Sequence, residues 1–115
     1  MEVGEEATML IAEASVETEF SSRYLVALCR HFNHKAQSHP EFKAHVEWSE
    51  NHGVASFGWG RCELRADPGV LSLRAEGPDE EKLHRVEGIV TEHLVRFGRR
   101  DHLTVTWAPP QDAAG

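Results

Sequence analysis

The chain has only two cysteines in 115 residues, Cys29 and Cys62, and neither belongs to a Cys-x-x-Cys pair. That is too few for a disulfide framework and the wrong spacing for a zinc ribbon, so cysteine is expected here mainly as a small apolar residue in a reducing compartment. No apolar run approaches the roughly 18 residues that would span a bilayer. The first residues, MEVGEEATMLIAEASVE, carry acids where a secretory leader carries Lys or Arg, so the expected location is cytoplasmic. Basic residues are scarce too. Twelve Lys and Arg stand against 19 Asp and Glu, a formal net charge of −7, which argues against a nucleic-acid partner because phosphate neutralisation needs a basic face. There is no His-Glu-x-x-His pair, and Gly58-x-Gly60 leads into no helix that would supply an anion site, so a nucleotide fingerprint is excluded.

What is present is an ordinary balance of 40% hydrophobic and 27% charged residues, and a length that suits one domain, since a second core would be too small to stabilise itself. The domain is expected over residues 7–108, with frayed ends at Met1 to Glu6 and at Pro109 to Gly115, which lack periodic apolar residues. Leu10, Ala12, Ala14 and Val16 alternate with Met9, Ile11, Glu13 and Ser15, which predicts a strand. Tyr24, Leu25, Leu28 and Phe32 fall at helical spacing after Ser21 or Ser22, predicting a helix that ends near Lys35 before a loop, AQSHPE. Val46 and Trp48 begin a meander whose return strand runs from Val54 to Ala66. Asp67-Pro68-Gly69 is a tight turn into Leu71, Leu73 and Ala75. Asp79 caps a second helix with Glu80 and Glu81 in its first turn, a stripe of Leu83, Val86, Val90, Leu94 and Phe97, and Gly98 at its end. Leu103, Val105 and Trp107 are predicted as a last strand. The order β-α-β-β-β-α-β, with one apolar stripe per helix, predicts an α+β two-layer sandwich, two helices on one face of a mainly antiparallel sheet.

Several stretches carry a family signature: Ser22-Arg23-Tyr24-Leu25, Leu28-Cys29-Arg30-His31-Phe32-x-His34-Lys35, Phe57-Gly58-x-Gly60-Arg61-Cys62-x-Leu64-x-Ala66, Arg85-Val86-Glu87 and Glu92-His93-Leu94-x-Arg96-Phe97. In combination they resemble the bacterial domain of unknown function 2218 family, over roughly residues 8 to 108. The resemblance implies a stand-alone bacterial cytoplasmic protein, encoded near genes for siderophore-interacting flavin reductases and iron uptake, with no established reaction. An accessory or ligand-binding module in siderophore and iron metabolism is therefore expected, with a small anionic ligand or an iron chelate as partner.

Four groups of residues are candidates for chemistry. Arg30, His31, His34 and Lys35 concentrate positive charge at the end of the first helix, where they either complement the helix dipole or hold a carboxylate, phosphate or hydroxamate oxygen. Arg61 joins that ligand set if its strand twists or bulges. His31 and His34, about 60° apart on the helix, also form a two-ligand clamp that needs a third metal ligand from elsewhere; Cys29 and Cys62 would be the sulfur ligands, or else two inert core residues. His93 lies within roughly 40° of the centre of its apolar stripe. It is either a core histidine with a satisfied N–H or, with His31, one of a pair of acid–base groups facing an interlayer cavity, which would make the chain a small enzyme. Finally, Phe57, Trp59, Met9 and Ile11 are expected together on the outer face of the sheet, an apolar patch suited to a homodimer.

Overall fold

Alternation alone determines which side of the first strand is buried. In β1, Leu10–Glu17, the residues Ala12, Ala14 and Val16 are buried and Glu13, Ser15 and Glu17 are exposed. The computed structural model describes residues 9–38 and 44–112; Met1 to Glu6, His39, Pro40 and the last three tail residues lie outside the described residues. Beyond β1 the chain forms α1 (Ser21–Ser38), β2 (His45–Trp48), β3 (His52–Phe57), β4 (Gly60–Asp67), β5 (Val70–Gly77), α2 (Glu80–Phe97), a single 3-10 turn (Arg99–Asp101) and β6 (Gln111–Asp112). The strands make one antiparallel sheet in the order β2-β3-β4-β5-β1-β6. Both helices pack on one face, the expected α+β two-layer sandwich.

The core joins the stripes of the two helices to the inward face of the sheet. Leu25, Leu28, Cys29 and Phe32 from α1, and Leu83, Val86, Val90 and Leu94 from α2, meet the inward residues Ala12, Ala14, Val16, Ala55, Phe57, Cys62, Leu64, Leu71, Leu73 and Ala75. Helix ends follow the capping logic. The Asp79 carboxylate accepts from Lys82 N at 2.8 Å, and the Gly98 N–H donates to Leu94 O at 2.9 Å. The start of α1 is tied to the hairpin loops instead, since the Ser21 hydroxyl donates to Asp67 O and the Ser22 hydroxyl to Glu50 O.

Five expectations are corrected. The predicted return strand Val54 to Ala66 is two strands, because the chain reverses at Gly58-Trp59 and Phe57 pairs with Gly60. Gly58 takes a φ of 44° as the first residue of that two-residue turn, a conformation that glycine adopts without Cβ strain. The extra reversal carries Phe57 inward, buried against the Phe32 ring, and turns Trp59 toward α2, so the expected aromatic patch of Phe57 and Trp59 is not on the outer sheet face. That face is charged. Glu13, Arg61, Glu63, Arg65, Arg74 and Glu76 stand on it, with Arg74–Glu76 at 3.2 Å and Arg61–Glu76 at 3.7 Å, so among the described residues this face is charged where an apolar one was expected. Leu103 to Trp107 does not form a strand: Trp107 makes one bridge to Ala14, its indole N–H donates to Thr91 Oγ1 at 2.7 Å, and the pairing resumes at Gln111–Asp112, in residues expected to fray. Helix α1 runs on to Ser38, taking in the start of the expected AQSHPE loop. Phe97, assigned to the stripe of α2, is exposed.

The layers are close enough that side-chain volume is decisive. A Cβ on Gly53 would lie 2.6 Å from Cys29 Sγ and 3.4 Å from Leu25, whereas one on Gly88, on the outer side of α2, would meet nothing. Gly53→Ala is expected to destabilise by about 1–3 kcal/mol through overpacking. Gly88→Ala is expected to stabilise by about 0.5–1 kcal/mol through helix propensity. Denaturant unfolding of both variants checks the pair, and equal effects at the two sites would contradict the packing described.

Candidate functional site

Helical spacing brings His31, Phe32 and Lys35 to one side of α1, and Arg85, Ile89 and His93 to the facing side of α2. With Ala36, Ala44, Phe57 and Trp59 they line a cleft of about 320 Å³ at the turn end of the β3–β4 hairpin. The reversal at Gly58 builds its aromatic wall: Phe57 and Trp59 stack with ring centroids 5.5 Å apart and 19° between planes, and the Arg85 guanidinium lies 5.2 Å from the Trp59 ring.

At the inner end, the rings of His31 and His93 stand 4.5 Å apart. His93 Nδ1 lies 2.7 Å from Ile89 O, so Nδ1–H donates to that carbonyl and the neutral ring keeps its free lone pair at Nε2. His31 Nε2 is buried without a hydrogen-bond partner. Burial lowers the His31 pKa below the ordinary histidine range, and the adjacent His93, Lys35, His34 and Arg96 act in the same direction. A buried orphan nitrogen beside a second imidazole is costly to the fold unless a donor or acceptor reaches it.

The structure separates the predicted site residues. His31, Lys35 and His93 share the cleft. Arg30 and His34 are exposed on α1 and do not line it. Arg61 lies on the opposite side of the sheet, beside Glu76, because it alternates with the inward Cys62. Cys29 and Cys62 are completely buried; burial pushes the Cys29 thiol up to about 11 and the Cys62 thiol, which also feels Cys29, up to about 12. Both are protonated at neutral pH and poor metal ligands or nucleophiles. Among the described residues, no three His, Cys, Asp or Glu side chains are grouped to hold a metal ion. Trp59 and Arg85 were missed because their approach depends on the tight turn at Gly58, which the continuous alternation from Val54 to Ala66 concealed. A Gly-x-Gly flanked by aromatics was the available signal.

A larger hollow, about 650 Å³, lies on the outer sheet face among Glu13, His52, Glu63, Arg65 and Arg74. Its arginines lie beside carboxylates at the rim, Arg74 3.2 Å from Glu76 and Arg65 3.8 Å from Asp67, while Arg74 Nε, like Arg61 Nε on the same face, is buried without a hydrogen bond. His52 Nε2–H donates to Glu63 at 2.7 Å, and that bond holds the Glu63 carboxyl below the usual range. This surface is a grid of ion pairs along and across the strands.

No helix is long and apolar enough to cross a membrane among the described residues. None of the curated proteins matches the chain. Among solved structures, the NMR structure of PA4090 from Pseudomonas aeruginosa is similar, with 31% sequence identity and a TM-score of 0.70, over 87% of this chain and 96% of that protein. The sequence profile of a family of uncharacterised proteins conserved in bacteria matches residues 13–108. The chain belongs to that family, the bacterial domain of unknown function 2218.

Proposed function

We propose that the chain binds a small hydroxyaromatic acid in the cleft between α1, α2 and the β3–β4 hairpin. The observation that supports this reading is the convergence of an aromatic wall, two cations and two imidazoles, one with a buried orphan nitrogen, on one cavity. Phe57 and Trp59 take the ring of the ligand by stacking. Lys35 and Arg85 attract its carboxylate, and no acid lines the cleft among the described residues. The ligand hydroxyl donates to His93 Nε2 and accepts from His31 Nε2–H, which gives the buried nitrogen its partner.

Size refines the ligand. A cavity of about 320 Å³ is at the lower end for small-molecule sites and accommodates one substituted ring rather than a loaded ferric chelate. Aryl acids of this kind are iron-chelating units, so the reading retains the link to siderophore and iron metabolism that the family resemblance implies, with the free aryl unit as ligand. A cytoplasmic setting suits the two reduced thiols of the core. The closeness of His31 to His93 also favours a second reading, acid–base catalysis on such a ligand, with His93 Nε2 taking a proton. Chromatography of the ligand after incubation separates the two readings, since binding returns it unchanged.

Salicylate is expected to quench Trp59 fluorescence saturably, and benzoate, which lacks the hydroxyl, to bind about tenfold more weakly. Lys35→Ala and Arg85→Ala are each expected to weaken salicylate by about three- to tenfold. No saturation by calorimetry up to millimolar salicylate would rule the reading out.

The lowered His31 pKa has a defined effect on stability. The unfolded chain binds a proton at His31 more readily than the folded one, so this contribution is complete above about pH 6.5 and is lost as pH falls through the lowered native value. Melting temperature should therefore decline below about pH 6.5, and His31→Gln should flatten that decline. An unchanged pH profile in the variant would show that His31 does not carry it.

A further inference from the structure

The three large hydrophobic side chains exposed among the described residues, Phe20, Val95 and Phe97, gather at one end of the helix layer. The same end carries Arg23 at the start of α1, Arg96 in the last turn of α2, and Arg99 and Arg100 in the 3-10 turn that follows. Two grooves flank the Arg96–Arg99 ridge. One, of about 600 Å³, is lined by Phe20, Arg23, Phe97, Arg99 and Arg100 among others. The second, of about 530 Å³, has Val95, His102 and Leu103 in its wall.

The two carboxylates of these grooves are already engaged. Asp101 accepts the Tyr24 hydroxyl in a short hydrogen bond, and Glu92 lies 3.4 Å from Arg96. Arg23, Arg99 and Arg100 pair with no carboxylate among the described residues; Arg23 instead lies 5.2 Å from the Phe20 ring. Exposed rings interleaved with unpaired guanidinium groups match a partner that carries acids and apolar anchors together.

We infer that this surface docks a short acidic segment of a partner protein, one in which aromatic or aliphatic residues alternate with Asp or Glu. Charge complementarity selects the chemistry, and the chain's overall charge selects the size. An extended polyanion, such as a bilayer or a nucleic acid, meets the repulsion of a chain with net charge −7, whereas a short segment lies within a Debye length, about 8 Å, of the arginines. The apolar side chains of the segment cover Phe20, Val95 and Phe97, and its acids bridge Arg99 and Arg100. This inference is independent of the cleft ligand, since none of the four arginines lines the cleft.

The test is fluorescence anisotropy of a dye-labelled peptide alternating Glu and Phe, titrated with the full chain at about 50 mM and about 300 mM salt. Saturable binding that weakens with salt is expected, with at least about a tenfold loss in Arg99→Glu/Arg100→Glu and a smaller loss in Phe97→Ser. Arg65→Glu, on the outer sheet face, should bind as the parent does. Binding unaffected by Arg99→Glu/Arg100→Glu, or none at all at low salt, would overturn the inference. So would tighter binding to phosphatidylserine vesicles or to oligothymidylate than to the peptide under the same conditions. Melting curves of the variants guard against a loss caused by unfolding, and Arg99 and Arg100 are exposed enough for both to fold.

Discussion

The two helices lie so close to the sheet that a Cβ at Gly60 would come within 2.7 Å of Val86, as one at Gly53 would of Cys29 Sγ. Everything else depends on that closeness. Small residues at the centre of the sheet, Ala55, Cys62 and Ala75, let α1 and α2 settle onto it. Larger ones at the margin, Phe32, Phe57 and Trp59, keep the layers apart where the cleft opens. The cleft is thus a graded change in side-chain volume along one interface rather than a separate structure built on the fold.

Local chemistry in the cleft follows from its position at that margin. Deep enough for His31 Nε2 to lose water, and open enough for Lys35 and Arg85 to stay solvated, it combines a low-dielectric inner end with a cationic mouth. A pocket deeper in the layer would have to bury those cations, and a shallower one would leave the imidazole nitrogen hydrated and its pKa ordinary.

Most of the layering was legible because both helices and four of the strands carry clean periodicity: Ala12, Ala14 and Val16 on β1, and Leu83, Val86, Val90 and Leu94 on α2, are buried as their spacing predicts. The pair His31 and His93 was legible for the same reason, since His31 borders its stripe and His93 lies near the centre of its own. Where the reading failed, the cause was local turn geometry. A two-residue reversal at Gly58-Trp59 shifts the inward set from one parity to the other, so Phe57 and Gly60 both face the helices, and no alternation pattern across the turn can show it. Trp107 failed for a different reason: its indole is held by Thr91 of α2, which serves the side chain without requiring a long backbone ladder.

The hydrogen bond from His93 Nδ1 to Ile89 O also limits how protons can travel. A histidine relays a proton by accepting at one nitrogen and releasing at the other, and here the second nitrogen is committed to a carbonyl one turn back in its own helix. The ring is therefore a terminus and not a conduit: a proton taken up at Nε2 must leave by the way it came. Exchange at His93 Nε2 consequently runs by way of the cleft and not through the ring, and an occupant stacked on Trp59 would hinder it for as long as it stays.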